Sequence, residues 1–144
     1  MSSIPLRTRC EQLVSFFNRA RLSKAFGMQI SYDDNGAASF VMPYNPSFDH
    51  GMGGIYGGVI ASMIDNAGWF TVAAQTDYWV STVSLNIQLL EPAERVQIRS
   101  VGELVRTGKR LAVAKMEVLT ETDSLIAIGS GTFSISSIKR SSIQ

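Results

Sequence analysis

The residues whose types and spacing could support chemistry lie in one apolar segment that begins with two glycines. Gly57 and Gly58 open this segment, and Asp65 follows two turns later among apolar neighbours. Backbone N–H groups at a helix start have no intrahelical acceptor, so they can stabilise an oxyanion, and glycine lets a carbonyl approach closely. A carboxylate in such surroundings is costly unless it is hydrogen-bonded or functional. Asp65 is therefore a candidate general base, although a structural partner or a solvent-facing position would explain it equally well.

Other polar residues near this segment are weaker candidates. His50 stands in the preceding glycine-rich loop and is the only histidine of the chain. His50, Asp49 and Asp65 form no recognised ligand spacing, so no metal site is predicted. Tyr56 precedes the glycines and fits a packing role as well as a contact role. Thr82 lies on the polar face of a predicted strand, where ordinary alternation is the simpler explanation.

Three cations cluster in a predicted hairpin turn, at Arg106, Lys109 and Arg110 around Gly108. A solvated turn is the simpler interpretation of this cluster. A phosphate anchor is the functional interpretation, because such cations recognise phosphate groups.

Periodicity places the candidates on helices, strands and loops. Apolar residues at helical spacing predict an amphipathic helix over 5–24, with Gly27 as the expected stop. Around an Asn-Gly hairpin signal, two short strands are predicted at 28–33 and 37–42. A long loop over 43–56, rich in glycine and proline, then leads into a long apolar helix over 57–75, which needs cover on several sides.

From residue 79 the apolar period becomes two, which predicts a strand that Pro92 closes and three further strands near 94–106, 110–121 and 124–135. Short links between them predict an antiparallel meander. One face of the first strand is expected to carry Val83, Leu85, Ile87 and Leu89, and Gly102 is the expected position of a bulge. A sheet that wraps the apolar helix satisfies both elements, so the predicted fold class is α+β.

Length and composition exclude several classes of protein. The chain has 144 residues and a net charge of +1, which favours one domain and argues against a nucleic-acid partner. The single cysteine, Cys10, excludes an intramolecular disulfide and is interpreted as a small buried hydrophobic residue. No export signal opens the chain, so we expect a cytoplasmic location. Asp65 and Asn66 argue against a membrane span within 57–74.

Several motifs have the order and spacing of a known family. They are Tyr56-Gly57-Gly58 with Asp65, Thr82 with the run 85–93, the turn 105–110 and the last strand 127–132. Together they resemble the hotdog-fold thioesterases of the phenylacetate-degradation (PaaI-like) type, over about residues 28–136. The resemblance implies one hotdog domain over 1–144, with a curved antiparallel sheet of about six strands around the long helix. An additional N-terminal helix and a short tail over 137–144 complete the expected domain.

The resemblance also implies an activity and assigns roles. It implies hydrolysis of acyl-coenzyme A thioesters without a metal or redox cofactor, in homodimers that often pair into homotetramers. The active sites are expected at the dimer interface, with the Gly57 amide of one subunit facing Asp65 of the other. Asp65 would be the nucleophile or the general base, the Gly57 amide would donate to the thioester oxygen, and Thr82 would hold the water or the carboxylate. The expected substrate-binding positions are Tyr56, Gly58, Asn66, Gly108, Lys109 and Arg110.

Two positions depart from the family pattern and leave alternatives open. The family has histidine where this chain has Tyr56, and often asparagine where it has His50. Tyr56 could still donate a hydrogen bond, and His50 could contact the leaving group. His50 with Asp65 also imitates the pair of a hotdog hydratase or dehydratase acting on acyl thioesters. The loss of the family histidine is also compatible with a non-catalytic acyl-CoA-binding module.

Overall fold

A computed structural model describes residues 3–142, which form three helices and six strands. In chain order these are α1 (Leu6–Arg19), α2 (Arg21–Phe26), β1 (Gln29–Tyr32), β2 (Ala38–Met42), α3 (Gly57–Ala73), β3 (Tyr78–Leu89), β4 (Ile98–Thr107), β5 (Leu111–Thr120) and β6 (Leu125–Lys139). Short 3-10 turns occupy Pro46–Phe48 and Arg140–Ser142. All six strands join one curved antiparallel sheet, so the α+β prediction is confirmed.

The order of strands in the sheet corrects the predicted four-strand meander. The order is β1-β2-β4-β5-β6-β3, so of the last four strands only β4, β5 and β6 are neighbours in chain order. β3 pairs with β6, and the link over 90–97 is long enough to carry the chain from β3 to β4 beside β2. β3 is consequently an edge strand of the described sheet.

The register of β3 also corrects its predicted apolar face. The pairing of β3 with β6 shifts between Thr82 and Ser84, so Val83 falls at the irregularity. This residue is 61% exposed. Leu89, at the far end of the strand, is also exposed, so part of the apolar surface of β3 faces outward.

α3 is buried over most of its circumference because strands β2 to β6 contact it. Gly102 of β4 permits this packing, since a Cβ there would lie 2.2 Å from Thr71 Oγ1 and 2.3 Å from the Ala67 carbonyl oxygen. The predicted bulge at Gly102 is therefore wrong. The register shift of β4 lies between Leu104 and Arg106 instead.

The N-terminal region forms two helices where one was predicted. Ala20 is extended, with φ −70° and ψ 135°, and separates α1 from α2. Its carbonyl oxygen accepts hydrogen bonds from the Ser23 N–H and the Ser23 hydroxyl, and so begins the second helix. Gly27 ends α2 in a left-handed conformation, as predicted.

α1 contributes to the core and lies over the C-terminal end of α3. Leu13 and Phe17 are buried, and the Phe17 ring lies 5.5 Å from that of Phe70. At the other terminus β6 continues to Lys139, so the tail predicted from residue 137 begins later, and residues 143 and 144 lie outside the described part. No helix within residues 3–142 is long and apolar enough to span a membrane.

Candidate active site

The first turn of α3 presents two backbone N–H groups without acceptors. Tyr56 is extended, and its carbonyl oxygen accepts from the Val59 and Ile60 N–H groups at 2.9 and 3.3 Å. The Gly57 and Gly58 N–H groups find no acceptor within residues 3–142. Two free donors at the positive end of a helix dipole form a favourable position for developing negative charge.

The two glycines make room for side chains that border these donors. A Cβ on Gly57 would lie 2.9 Å from Leu89 Cδ1, at the end of β3. A Cβ on Gly58 would lie 3.0 Å from Tyr56 Cε1, so the tyrosine ring covers the start of the helix. Tyr56 is 59% exposed, and its hydroxyl has no partner in the described chain. This hydroxyl is therefore available to a ligand.

His50 sits in a tight turn before the helix. Its N–H donates to the Gly54 carbonyl at 2.9 Å, and its own carbonyl accepts from the Gly53 N–H at 2.9 Å. The Met52 N–H donates to His50 Nδ1 at 3.1 Å. Because Nδ1 is an acceptor, this network assigns the proton of the neutral ring to Nε2.

A cavity of about 320 Å³ joins the loop to the helix start. Its lining includes His50, Gly57, Ile60 and Leu89, together with the link after β3. The Ile55 N–H donates to the Ala93 carbonyl at 2.8 Å, which fixes the loop against that link. The sequence did not predict that residues 89–93 line this cavity, because no local pattern shows that they return to the start of α3.

A second interaction holds the loop near His50. The Tyr44 hydroxyl donates to Asp49 Oδ2 at 2.6 Å, and this hydrogen bond raises the pKa of Tyr44 because the carboxylate favours the protonated phenol. The Tyr56 N–H donates to the Phe48 carbonyl at 2.9 Å. Hydrogen bonds from Tyr44 and from Tyr56, at its two ends, therefore hold the loop before α3 in place.

Asp65 is oriented by the strand beside it. The Thr82 hydroxyl, on β3, donates to Asp65 Oδ1 at 2.8 Å. Asp65 is half-buried, and its Oδ2 receives no hydrogen bond from any residue of the described chain. The carboxylate therefore has one oxygen held and one oxygen available, and Thr82 is more than an ordinary polar residue of an alternating strand.

Asp65 and Gly57 are too far apart to act on one carbonyl group within a single chain. Eight residues separate them along α3, which corresponds to about 12 Å of helix. Neither Asp65 nor Thr82 lines the cavity that contains His50 and Gly57. Each chain thus carries two separate parts of a candidate site, an amide part at Gly57 and a carboxylate part at Asp65.

Comparison with known proteins decides the family. A sequence profile described as "Thioesterase superfamily" matches residues 52–127, which include both parts of the site. The chain belongs to the thioesterase superfamily. Membership supports thioester hydrolysis as the general reaction, and therefore a hydrolase.

One protein is similar to this chain in sequence, and two solved structures are similar to it in fold. A protein of Halobacterium salinarum, provisionally named an esterase, is 27% identical over 134 residues, which cover 84% of this chain and 88% of the relative. The PaaI protein of the E. coli phenylacetic acid degradation operon has a TM-score of 0.87 at 19% identity, covering 94% of this chain and 99% of that protein. A Haemophilus influenzae thioesterase has a TM-score of 0.80 at 18% identity, covering 94% and 92%. These structures share the hotdog fold, as predicted.

The remaining predicted site positions do not all meet at the site. The side-chain amide of Asn66 donates a hydrogen bond to the Met28 sulfur at 3.3 Å, and it makes no hydrogen bond to Asp65. Gly108, Lys109 and Arg110 form the exposed turn between β4 and β5. Neither cation takes part in an ion pair in the described region.

The sheet register relates the basic turn to the carboxylate part. Thr82 lies opposite Phe133, which lies opposite Ala112, next to the start of β5. Two strand spacings, about 10 Å, therefore separate Thr82 from the strand that begins at this turn. The turn is at the Asp65 end of β3, away from Leu89 and Gly57. No three His, Cys, Asp or Glu side chains of residues 3–142 are grouped as metal ligands would be.

Proposed function

We propose that the protein hydrolyses acyl-coenzyme A thioesters to a free acid and coenzyme A. The observation that carries the proposal is the combination of free N–H groups at Gly57 and Gly58 with an oriented carboxylate at Asp65. The first can stabilise an oxyanion and the second can drive attack on a carbonyl carbon. Membership of the thioesterase superfamily supports the same reaction.

In the proposed mechanism, the thioester oxygen accepts a hydrogen bond from the Gly57 N–H. Asp65 Oδ2 takes a proton from a water molecule while the water oxygen adds to the carbonyl carbon. The carbon–oxygen π electrons move onto the oxygen, which the helix amides stabilise. Collapse of this intermediate breaks the carbon–sulfur bond, and the proton that Asp65 took from water passes to the thiolate, which restores the carboxylate. If Asp65 instead attacks directly, the same free Oδ2 is the nucleophile, and water then hydrolyses the resulting anhydride.

A second copy of the chain completes the proposed site. β3 is a twelve-residue edge strand that exposes Val83 and Leu89, and a long exposed edge favours pairing with another strand. Antiparallel pairing of two β3 strands would place Asp65 of one copy beside Gly57 of the other. The separation of about 12 Å within one chain supports this arrangement, because it prevents one protomer from supplying both groups to one carbonyl.

The two departures from the family pattern have proposed roles as well. His50 lines the cavity with Gly57, and its Nε2–H can donate to the departing sulfur. Tyr56 has a free hydroxyl at the same helix start. Lys109 and Arg110 are exposed cations that suit the phosphates of coenzyme A.

Thiol release from short, medium, long and aromatic acyl-CoAs tests the proposal. We expect turnover by the natural protein and a loss of at least about a hundredfold in kcat for Asp65→Asn, since this amide cannot accept the proton. Asp34→Asn, at an exposed turn residue, is the matched control and should retain full activity. Equal turnover by Asp65→Asn would contradict the assigned role.

The same preparations separate the alternative functions. With an enoyl-CoA, loss of the conjugated double bond without thiol release would identify a hydratase that uses His50 and Asp65. Thermal stabilisation by coenzyme A ligands without any thiol release would identify a binding module. Either result would refute hydrolysis as the reaction.

A further inference from the structure

A second cavity lies at the opposite end of α3 from Gly57. It measures about 370 Å³, a volume in the range of small-molecule sites. Its walls are α1, the turn before β3, the start of β3 and the end of β6. None of its lining residues belongs to α3 or to the cavity at Gly57.

Aromatic rings form one wall of this cavity. Phe16 of α1 is 39% exposed although it is a large apolar side chain, and Trp79 lies beside it with ring centroids 6.3 Å apart. The register of β3 shifts between Tyr78 and Val80, which places Trp79 at an irregularity that turns it toward α1. Trp69 stacks on Phe16 at 6.1 Å and stands behind the wall. Flat exposed rings in a concave site favour a planar ligand.

The lining of the cavity is also basic. Arg19, Lys139 and Arg140 line the cavity. Asp77 is the acidic residue of the lining, and its charge is already matched, because its Oδ1 accepts from Arg9 Nε at 2.7 Å. The lining therefore carries excess positive charge and favours an anion.

The two arginines differ in what they can offer. Arg140 donates to the Tyr78 and Thr76 carbonyls, so its guanidinium is fixed in place. Burial and the nearby Arg9 lower the pKa of Arg140, and an anion in the cavity would offset both effects. Arg19 is exposed and has no ion-pair partner among the residues described. Its planar guanidinium can therefore donate two parallel hydrogen bonds to one carboxylate.

We propose that this cavity is a second binding site, for a small aromatic carboxylate. The ring would lie against Phe16 and Trp79, and the carboxylate would pair with Arg19 in the positive field of Arg140. Trp69, four residues after Asp65 on α3, separates this ligand from the carboxylate part of the thioester site. The site is therefore independent of the proposed hydrolysis.

Calorimetric titration of the full-length protein with matched probes tests the ligand class. 1-Naphthoate supplies ring and carboxylate, 1-naphthamide lacks the charge, and cyclohexanecarboxylate lacks the planar ring. We expect 1-naphthoate to bind at least about threefold more tightly than either of the others, and its affinity to fall with added salt. Equal affinity for the amide, tighter binding of 1-naphthyl phosphate, or no binding of 1-naphthoate would overturn the proposal.

Variants then locate the ligand. Arg19→Gln should weaken 1-naphthoate at least about threefold. Arg21→Gln is the matched control, because Arg21 is also exposed but does not line the cavity. Phe16→Leu should weaken 1-naphthoate more than cyclohexanecarboxylate, since it removes the planar contact. Equal effects of Arg19→Gln and Arg21→Gln would refute the site.

A last control separates this proposal from the proposed function. Arg19→Gln should leave thiol release from acyl-CoA unchanged, and Asp65→Asn should leave 1-naphthoate affinity unchanged. If Asp65→Asn removes 1-naphthoate binding, the probe occupies the thioester site and the second site is refuted. Absence of hydrolysis in the natural protein would refute only the proposed function.

Discussion

The attachment of α1 to the rest of the fold depends on one buried cation. Arg9 is 8% exposed, and its guanidinium donates to Asp77 Oδ1 at 2.7 Å, to the Ala74 carbonyl at 2.7 Å and to the Ile4 carbonyl at 2.8 Å. Ala74 is the C-cap of α3, where a positive charge also complements the helix dipole. We expect Arg9→Met to remove about 3–5 kcal/mol from the free energy of unfolding, because it leaves the Asp77 carboxylate, whose side chain is only 16% exposed, without this partner.

Urea unfolding at a fixed protein concentration, followed by tryptophan fluorescence, measures this change. Arg7→Met is the matched control on the same helix, because the Arg7–Glu11 pair has side-chain exposures of 92% and 66% and should contribute little. Adding Asp77→Asn to Arg9→Met should restore part of the loss, since no charge then remains unpaired. A loss below about 1 kcal/mol for Arg9→Met would refute the reasoning.

Three further predictions concern packing, positioning and thiol reactivity. Gly102→Ala should lower the free energy of unfolding, measured by urea titration, by about 2–3 kcal/mol, because the new Cβ would lie 2.3 Å from the Ala67 carbonyl oxygen. Gly51→Ala is the control and should not lower it, because a Cβ there meets no atom within 4 Å. Thr82→Val should lower kcat for thiol release about tenfold through loss of the hydrogen bond to Asp65, and Thr82→Ser should preserve it. Burial raises the pKa of the Cys10 thiol, so less of the reactive thiolate is present at pH 8. Alkylation of Cys10 should therefore be slower than that of a free cysteine thiol and should accelerate as the pH rises. Alkylation at the rate of a free thiol would contradict this.

Features that depend on neighbouring residues were predictable from the sequence. The start of α3 follows from the loop residues before Gly57 and the apolar run after it, and the free amides follow from any helix start. Gly27 marked the end of α2 because its left-handed conformation suits glycine. The approximate positions of β1 and β2 followed from the Asn-Gly hairpin signal, and those of the later strands followed mainly from a period of two.

Features that depend on distant residues were not predictable. Thr82 pairs with Phe133, and no local pattern distinguishes this partner from a residue of the next strand along the chain. Alanine is a good helix former, so the type of residue at Ala20 does not indicate a break between two helices. Gly102 resembled a bulge residue, but the close approach of Ala67 from α3 accounts for it.

The residue types of the candidate site were predictable from the sequence, and its arrangement was predicted only through the family resemblance. That resemblance implied that Thr82 holds the water or the carboxylate, and the structure joins Thr82 to Asp65 by a hydrogen bond of 2.8 Å. It also implied active sites at a dimer interface, and the length of α3, which separates Gly57 from Asp65 by about 12 Å, gives a physical reason for that arrangement.

Subunit complementation tests most directly the central claim, that two copies of the chain share each hydrolytic site. Asp65→Asn removes the carboxylate, and Gly57→Pro removes the N–H while keeping the helix, since proline suits the first helical position and extended Tyr56 suits the residue before it. Each variant alone should be inactive in thiol release. Co-expressed, they should recover about a quarter of the natural activity, because half of randomly paired dimers are mixed and each mixed dimer has one intact site. No recovery in mixtures shown to contain mixed dimers would contradict the shared site.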